Sequence, residues 1–164
     1  SLYMQQFWGH DENLMYFRNH VYPLMGPGWG STADYILLKD GDIIDVAMFS
    51  NWEFWNYGAF ACFDADAYSL TAGETLTFKT QKYDTRSVAD GGSESVQPVE
   101  GLAVYLCDTN WNRLKLLPPE DGNAYQYVFD KPGDYYLLAV DPNAGTSSAC
   151  YAPATARVPV SAAG

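Results

Sequence analysis

Along most of the chain, apolar and polar positions alternate in short runs, and the three-to-four spacing of a helix almost never persists. The opening stretch, Leu2 to Phe7, is the one place where a helix fits. Elsewhere Gly, Pro, Asn and Asp break the chain at the intervals expected of sheets. Met15-Tyr16-Phe17 reads as a strand leading into a turn at Asn19-His20, and Met25 to Ser31 reads as a Gly/Pro-rich loop. Tyr35 to Leu38 and Ile43 to Phe49 read as two strands joined by a tight turn at Asp40-Gly41-Asp42, because Gly accepts a positive φ between apolar runs. Asn51 to Tyr57 is an aromatic loop, and Ala59 to Phe63 returns as a strand.

Beyond Phe63 the alternation sharpens. Leu70 to Glu74 predicts a turn, and in Thr75 to Thr80 the apolar Leu76 and Phe78 interleave with Thr75, Thr77 and Lys79, the mark of a half-buried strand. Ser87 to Gln97 is polar and Gly-rich and predicts a loop. Further strands are expected at Leu102 to Cys107, Ala124 to Phe129, Tyr135 to Val140 and Ala154 to Val160. Short strands separated by turn signals argue an all-β fold containing a β-sandwich. The division that follows is a small β-rich unit at 1–63 and a sandwich at 64–164.

With 164 residues, of which 48% are apolar, the chain can build a core, yet no run approaches the ~20 apolar residues of a membrane span. Membrane insertion is therefore not expected. Ser1 to Trp8 lacks the basic start and apolar stretch of a signal peptide, and the small-residue end Ser161 to Gly164 reads, with Ser1, as the cut ends of a longer chain. The net charge of −11 repels phosphates and anionic lipid, which argues against nucleic acid as a partner. Thirteen Tyr and five Trp suit strands, and they also suit surfaces that are apolar in the middle and wet at the edge. Cys62, Cys107 and Cys150 form no CxxC pair, so a zinc site is not expected; three buried thiols is the reading adopted, with one disulfide as the alternative.

Two segments carry resemblances. Thr71-Ala72-Gly73-Glu74-Thr75-Leu76-Thr77-Phe78, with Tyr127-Val128-Phe129-Asp130-Lys131-Pro132-Gly133-Asp134-Tyr135-Tyr136-Leu137, resembles the immunoglobulin-like β-sandwiches of bacterial surface proteins. That resemblance implies a Pro-Gly-x-Tyr corner anchored by Tyr135 or Tyr136, packing its ring and hydrogen-bonding back. The strand Met15-Tyr16-Phe17-Arg18-Asn19, with Ala33-Asp34-Tyr35-Ile36-Leu37-Leu38-Lys39-Asp40-Gly41-Asp42-Ile43-Ile44, is similar to the β-grasp-like modules related to the C-terminal domain of transcobalamin. Where those modules have Asn-Gly at the first turn, this chain has Asn19-His20. Such modules occur as repeats in bacterial surface proteins, and no ligand transfers with the resemblance.

Asn51-Trp52-Glu53-Phe54-Trp55-Asn56-Tyr57 concentrates aromatics among amides and a carboxylate. Trp52, Phe54, Trp55 and Tyr57, extended by Trp29, are the candidate ligand-binding residues, with Trp8 and Trp111 joining them if the fold brings them near: such rings stack on sugars or anchor protein partners. The competing account is that they fill a core or an interface between units. Asp40, Asp42 and Asp45 are candidate calcium ligands, but turn chemistry already accounts for Asp40-Gly41-Asp42. Neither His10 nor His20 sits in a catalytic motif, and carboxylate pairs such as Glu53 and Asp64 have no evident cleft, so no enzyme is expected. The expected function is a non-catalytic, extracellular module pair of a larger bacterial cell-surface protein, binding a protein or glycan ligand beside neighbouring modules of the same chain. A structural spacer and a carbohydrate-binding module using residues 51–57 are the alternatives.

Overall fold

A computed structural model describes residues 9, 14–19, 24–26, 29–30, 37–48, 59–83, 96–144 and 151–164. Among these there is no helix, and the fold is mainly β. The strands are β1 (Leu14–Arg18), β2 (Leu24–Gly26), β3 (Trp29–Gly30), β4 (Ile44–Met48), β5 (Ala59–Phe63), β6 (Leu70–Thr71) and β7 (Thr75–Tyr83). They continue with β8 (Val96–Pro98), β9 (Ala103–Cys107), β10 (Arg113–Leu117), β11 (Ala124–Val128), β12 (Gly133–Val140), β13 (Tyr151–Ala152) and β14 (Ala154–Ser161). The candidate helix at Leu2 to Phe7 lies outside the described residues.

Two five-stranded sheets face each other. One has the order β10-β9-β12-β14-β6; the other runs β11-β7-β5-β13, with β8 added to β7. Their inward residues interleave in one core: Val104, Leu106, Leu137, Ala139, Ala156 and Val158 from the first, against Ala61, Phe63, Leu76, Phe78 and Tyr125 from the second. The period-two pattern predicted this for β7, where Leu76, Phe78 and Thr80 are buried and Thr75, Thr77 and Lys79 exposed. Phe78 is at the centre, stacked on Tyr125 (ring centroids 5.4 Å, 9°) and met edge-on by Phe63 at 5.7 Å.

Thr80 marks the place where the edge partner of β7 changes. Its amide donates to the Asn123 carbonyl (3.0 Å), and its carbonyl accepts from the Val99 amide (3.2 Å) and Asn123 Nδ2 (2.7 Å). Its hydroxyl donates to the Val99 carbonyl at 2.7 Å. Both backbone groups of Thr80 therefore point to one side, and β11 and β8 lie end to end along that side of β7. A buried threonine is tolerated here because its polar atoms are satisfied.

Several expectations need correction. β5, read from sequence as the last strand of the first unit, pairs with β7: Phe60 to Phe63 lie opposite Tyr83 to Thr80, and Ala61 and Phe63 enter the sandwich core. By hydrogen bonding, β5 belongs with the sandwich. Phe17 of β1 also packs edge-on against Phe60 at 4.3 Å, so β1 touches the sheet that contains β5. The turn at Lys39–Asp42 forms, with Gly41 at φ +88°; of the strand expected before it, Tyr35 and Ile36 lie outside the described residues and Leu37 and Leu38 are in no strand, while β4 pairs with β1. Asn19 supplies the reason. It adopts φ +54° itself, its side chain accepts from the Ile43 amide (2.8 Å) and donates to Asp42 Oδ1 (2.8 Å), and Arg18 Nη1 reaches the Leu37 carbonyl (3.0 Å). An αL asparagine replaces the missing Asn-Gly. Within the predicted loop at 25–31, β2 and β3 pair with each other, and within Ser87 to Gln97 the chain is already in β8 from Val96.

Candidate functional site

Trp52, Phe54, Trp55 and Tyr57 lie outside the described residues. Of Trp29, the structure places the backbone in β3, opposite Gly26. Asp42 has both carboxylate oxygens engaged, by Asn19 Nδ2 and by the Lys39 amide (2.8 Å each), and those bonds hold its pKa below the ordinary value. Among the described residues no three His, Cys, Asp or Glu side chains converge to hold a metal ion, and Asp40, Asp42 and Asp45 are not brought together as ligands. Cys62 and Cys107 are buried, Cys107 as a free thiol whose pKa burial raises; Cys150 lies outside the described residues.

The surface that draws together chemistry-bearing residues is the outer face of the β10-β9-β12-β14 sheet. Because Val104 and Leu106 point inward, Tyr105 and Cys107 point outward, and the same alternation turns out Tyr136 and Leu138 on β12 and Thr155 and Arg157 on β14. The registers set these in two rows. Arg113, Cys107, Tyr136 and Arg157 stand side by side across four strands; Leu116, Tyr105, Leu138 and Thr155 form the next row.

The β9–β10 hairpin completes this face. Asp108 organises it: Oδ1 accepts from the Asn110 and Asn112 amides (2.9 Å each), Oδ2 from Asn112 Nδ2 (2.8 Å), and the Asp108 carbonyl accepts from the Trp111 amide (3.1 Å). The result places Trp111 at φ +64°, a conformation that suits Gly and costs a bulky residue about 1–2 kcal/mol. Trp111 stacks on Tyr136 (centroids 4.5 Å, 29°) and remains 47% exposed. Arg113 lays its guanidinium over the Tyr105 ring at 4.3 Å. On β10 the apolar alternation is inverted: Leu117 is 3% exposed, whereas Leu114 and Leu116 are 53% and 56% exposed, with a bulge between Arg113 and Lys115. An aromatic shelf, flanked by guanidinium and exposed leucine, thus sits on a rigid sheet. Strained backbone that presents an exposed side chain is a feature of ligand sites.

Sequence reasoning named Trp111 only as an extension of the 51–57 cluster and missed Tyr105, Arg113, Leu116 and Tyr136. The detectable signal was Asp108-Thr109-Asn110-Trp111-Asn112, a turn whose polar residues frame one aromatic.

Two outcomes follow from this geometry. Trp111→Gly gives up a stack worth roughly 0.5–1.5 kcal/mol but relieves the αL strain, whereas Trp111→Ala gives up the stack and keeps the strain. Urea unfolding will therefore show Trp111→Gly to be more stable than Trp111→Ala by about 1 kcal/mol, the reverse of the usual order within sheets. Hydrogen bonds from Asn112 hold the Asp108 carboxyl below its ordinary pKa of 3.8, as those around Asp42 do for that group. A carboxylate whose folded pKa is depressed contributes stability that is complete above the unfolded value and lost as pH falls through the folded one. Amide exchange at Asn112 and Lys39 will accelerate relative to core amides as pH drops below about 4; unchanged ratios would contradict this.

At the other end of the sheet a shallow hollow of about 350 Å³ is lined by Ser69, Leu70, Gly133, Asp134, Pro159, Val160 and Ser161. Its carboxylate, Asp134, is already paired with Arg157 at 3.2 Å on the surface, leaving no convergent polar set. The chain matches no protein-family model and no curated protein.

Proposed function

We propose that this chain is a non-catalytic, extracellular module pair of a larger bacterial cell-surface protein, serving adhesion or ligand binding, and that the β10-β9-β12-β14 face is its recognition surface. The observation that carries this reading is Trp111: a half-exposed indole, held at positive φ on a hairpin and backed by Tyr136. A spacer has no use for a strained, exposed aromatic. Anchors of this kind dominate binding energy at protein and ligand interfaces.

The immunoglobulin-like character of the sandwich belongs to the same proposal. It is supported by the first edge changing sheets, with β5 on β7 and β6 running parallel to β14. Tyr135, near the start of β12, supports it too: its hydroxyl donates to the Lys131 carbonyl at 3.3 Å and its ring packs on Phe129, the arrangement of a tyrosine corner. Tyr136, the other candidate for the corner, serves the outer face instead.

The test is retention of beads coated with the full chain on epithelial cell layers and polysaccharide-coated surfaces. Leu116→Glu, at an exposed position, keeps the thermal midpoint and lowers retention several-fold. Retention that is indifferent to Leu116→Glu and to Trp111→Gly alike would favour the spacer.

A further inference from the structure

We infer that the ligand of this face is a carboxylated pyranose, its ring stacked on Trp111 and its carboxylate held by Arg113; the inference rests on the face being the recognition surface. Trp111 and Arg113 lie two residues apart on one hairpin. They cover Tyr136 and Tyr105, which are diagonal neighbours on adjacent strands. One face of the indole is occupied by Tyr136, and the 47% exposure leaves a flat apolar surface of about the size of one sugar ring.

Charge complementarity selects the acid. In a chain of net charge −11, Arg157 is matched by Asp134, whereas Arg113 has no ion-pair or hydrogen-bond partner among the described residues. Its guanidinium is seated on Tyr105 by a cation–π contact, which fixes the plane and leaves its N–H edges to donate. A planar fork of donors matches a carboxylate in bidentate fashion. Asn110 and Asn112 flank Trp111 in the turn, with the Asn112 Nδ2 committed to Asp108. An extended acidic peptide fits less well: pairing along the β10 edge requires a regular ladder, and the bulge between Arg113 and Lys115 interrupts it where the positive charge lies. A single ring needs no such ladder.

The test titrates the full chain with galacturonic acid oligomers and sialyllactose, each alongside its methyl ester, following tryptophan fluorescence and the Trp111 indole N–H signal. The acids shift the Trp111 signal and bind about tenfold more tightly than their esters, as loss of a charge-assisted bidentate contact implies. Arg113→Gln brings acid and ester to equal affinity by weakening the acid about tenfold, and Trp111→Gly abolishes the binding of both. Which acid binds separates a plant-type uronate from a host-type sialoside. Equal binding of acid and ester, an unchanged Trp111 signal, or binding of polyglutamate through Arg113 without any sugar response would overturn the inference. If the sugars fail while bead retention still depends on Leu116, only the ligand class falls; if both fail, the recognition surface falls with it.

Discussion

Phe78→Ala will unfold the sandwich more readily than any other single substitution discussed above. The ring is fully buried, stacked on Tyr125 and met edge-on by Phe63, with Tyr68 at 6.2 Å on a further side. Truncation removes the transfer free energy of the ring and leaves a cavity between two sheets that their hydrogen-bonded strands prevent from closing. Phe→Ala changes of this kind cost about 3–5 kcal/mol. For a chain of this size the thermal midpoint should fall by roughly 10 °C. Lys79→Ala, the exposed neighbour on the same strand, should leave it within a degree or two. A Phe78→Ala variant as stable as the wild type would mean that the two sheets do not share this core.

The second large effect is expected at Asp141, a buried carboxylate at the end of β12. Its Oδ1 accepts from the Asn143 amide at 2.8 Å and its Oδ2 from the Tyr151 amide at 3.1 Å. Tyr151 opens β13, which runs parallel to β5, so Asp141 ties the exit of one sheet to the entry of the other. Asp141→Ala leaves two part-buried N–H donors without their acceptor and should cost about 1–3 kcal/mol, whereas Asp141→Asn retains one acceptor and should cost about half as much. The two variants are to be compared by denaturant unfolding at neutral pH. Near-equal losses would show that volume matters at this position and the hydrogen bonds do not.

The strands that could be read from the sequence were those with one wet and one dry face. In β7 and β9 the alternation is clean because the outer positions carry Thr, Lys or Tyr and the inner ones Leu, Val or Phe. β10 defeated the same logic. Arg113-Leu114-Lys115-Leu116-Leu117 has apolar residues on both faces, and the structure buries Leu117 and exposes the other two leucines. Very short strands such as β6 and β13, and the parallel pairings they make, leave no periodic trace in two residues. The strand at Ala59 to Phe63 was legible but its partner was not: local pattern identifies a strand and says nothing of its neighbour, and pairing across the sheet decided that β5 joins β7.

The candidate site was less legible than the fold. Composition marked aromatics as the recognition chemistry, and density along the chain drew the choice to Trp52, Phe54, Trp55 and Tyr57. Trp111 stood alone in sequence, and its importance arises from partners on other strands: Tyr136 beneath it, and Tyr105 with Arg113 beside it. Its positive φ has no sequence signature either, because the turn around Asp108 imposes it where Asn or Gly would ordinarily stand. A Trp at such a position is the observation that supports the proposal of this face as a recognition surface.

The most direct test pairs two readings on one variant. Trp111→Gly, purified as the full chain, is measured for its unfolding midpoint and for retention on cell and polysaccharide surfaces. The account predicts stability close to that of the wild type together with loss of most of the retention, because the strain of Trp111 serves recognition and not the fold. Unchanged retention with a sharply lowered midpoint would contradict it, and would make Trp111 a packing residue on a surface that binds nothing.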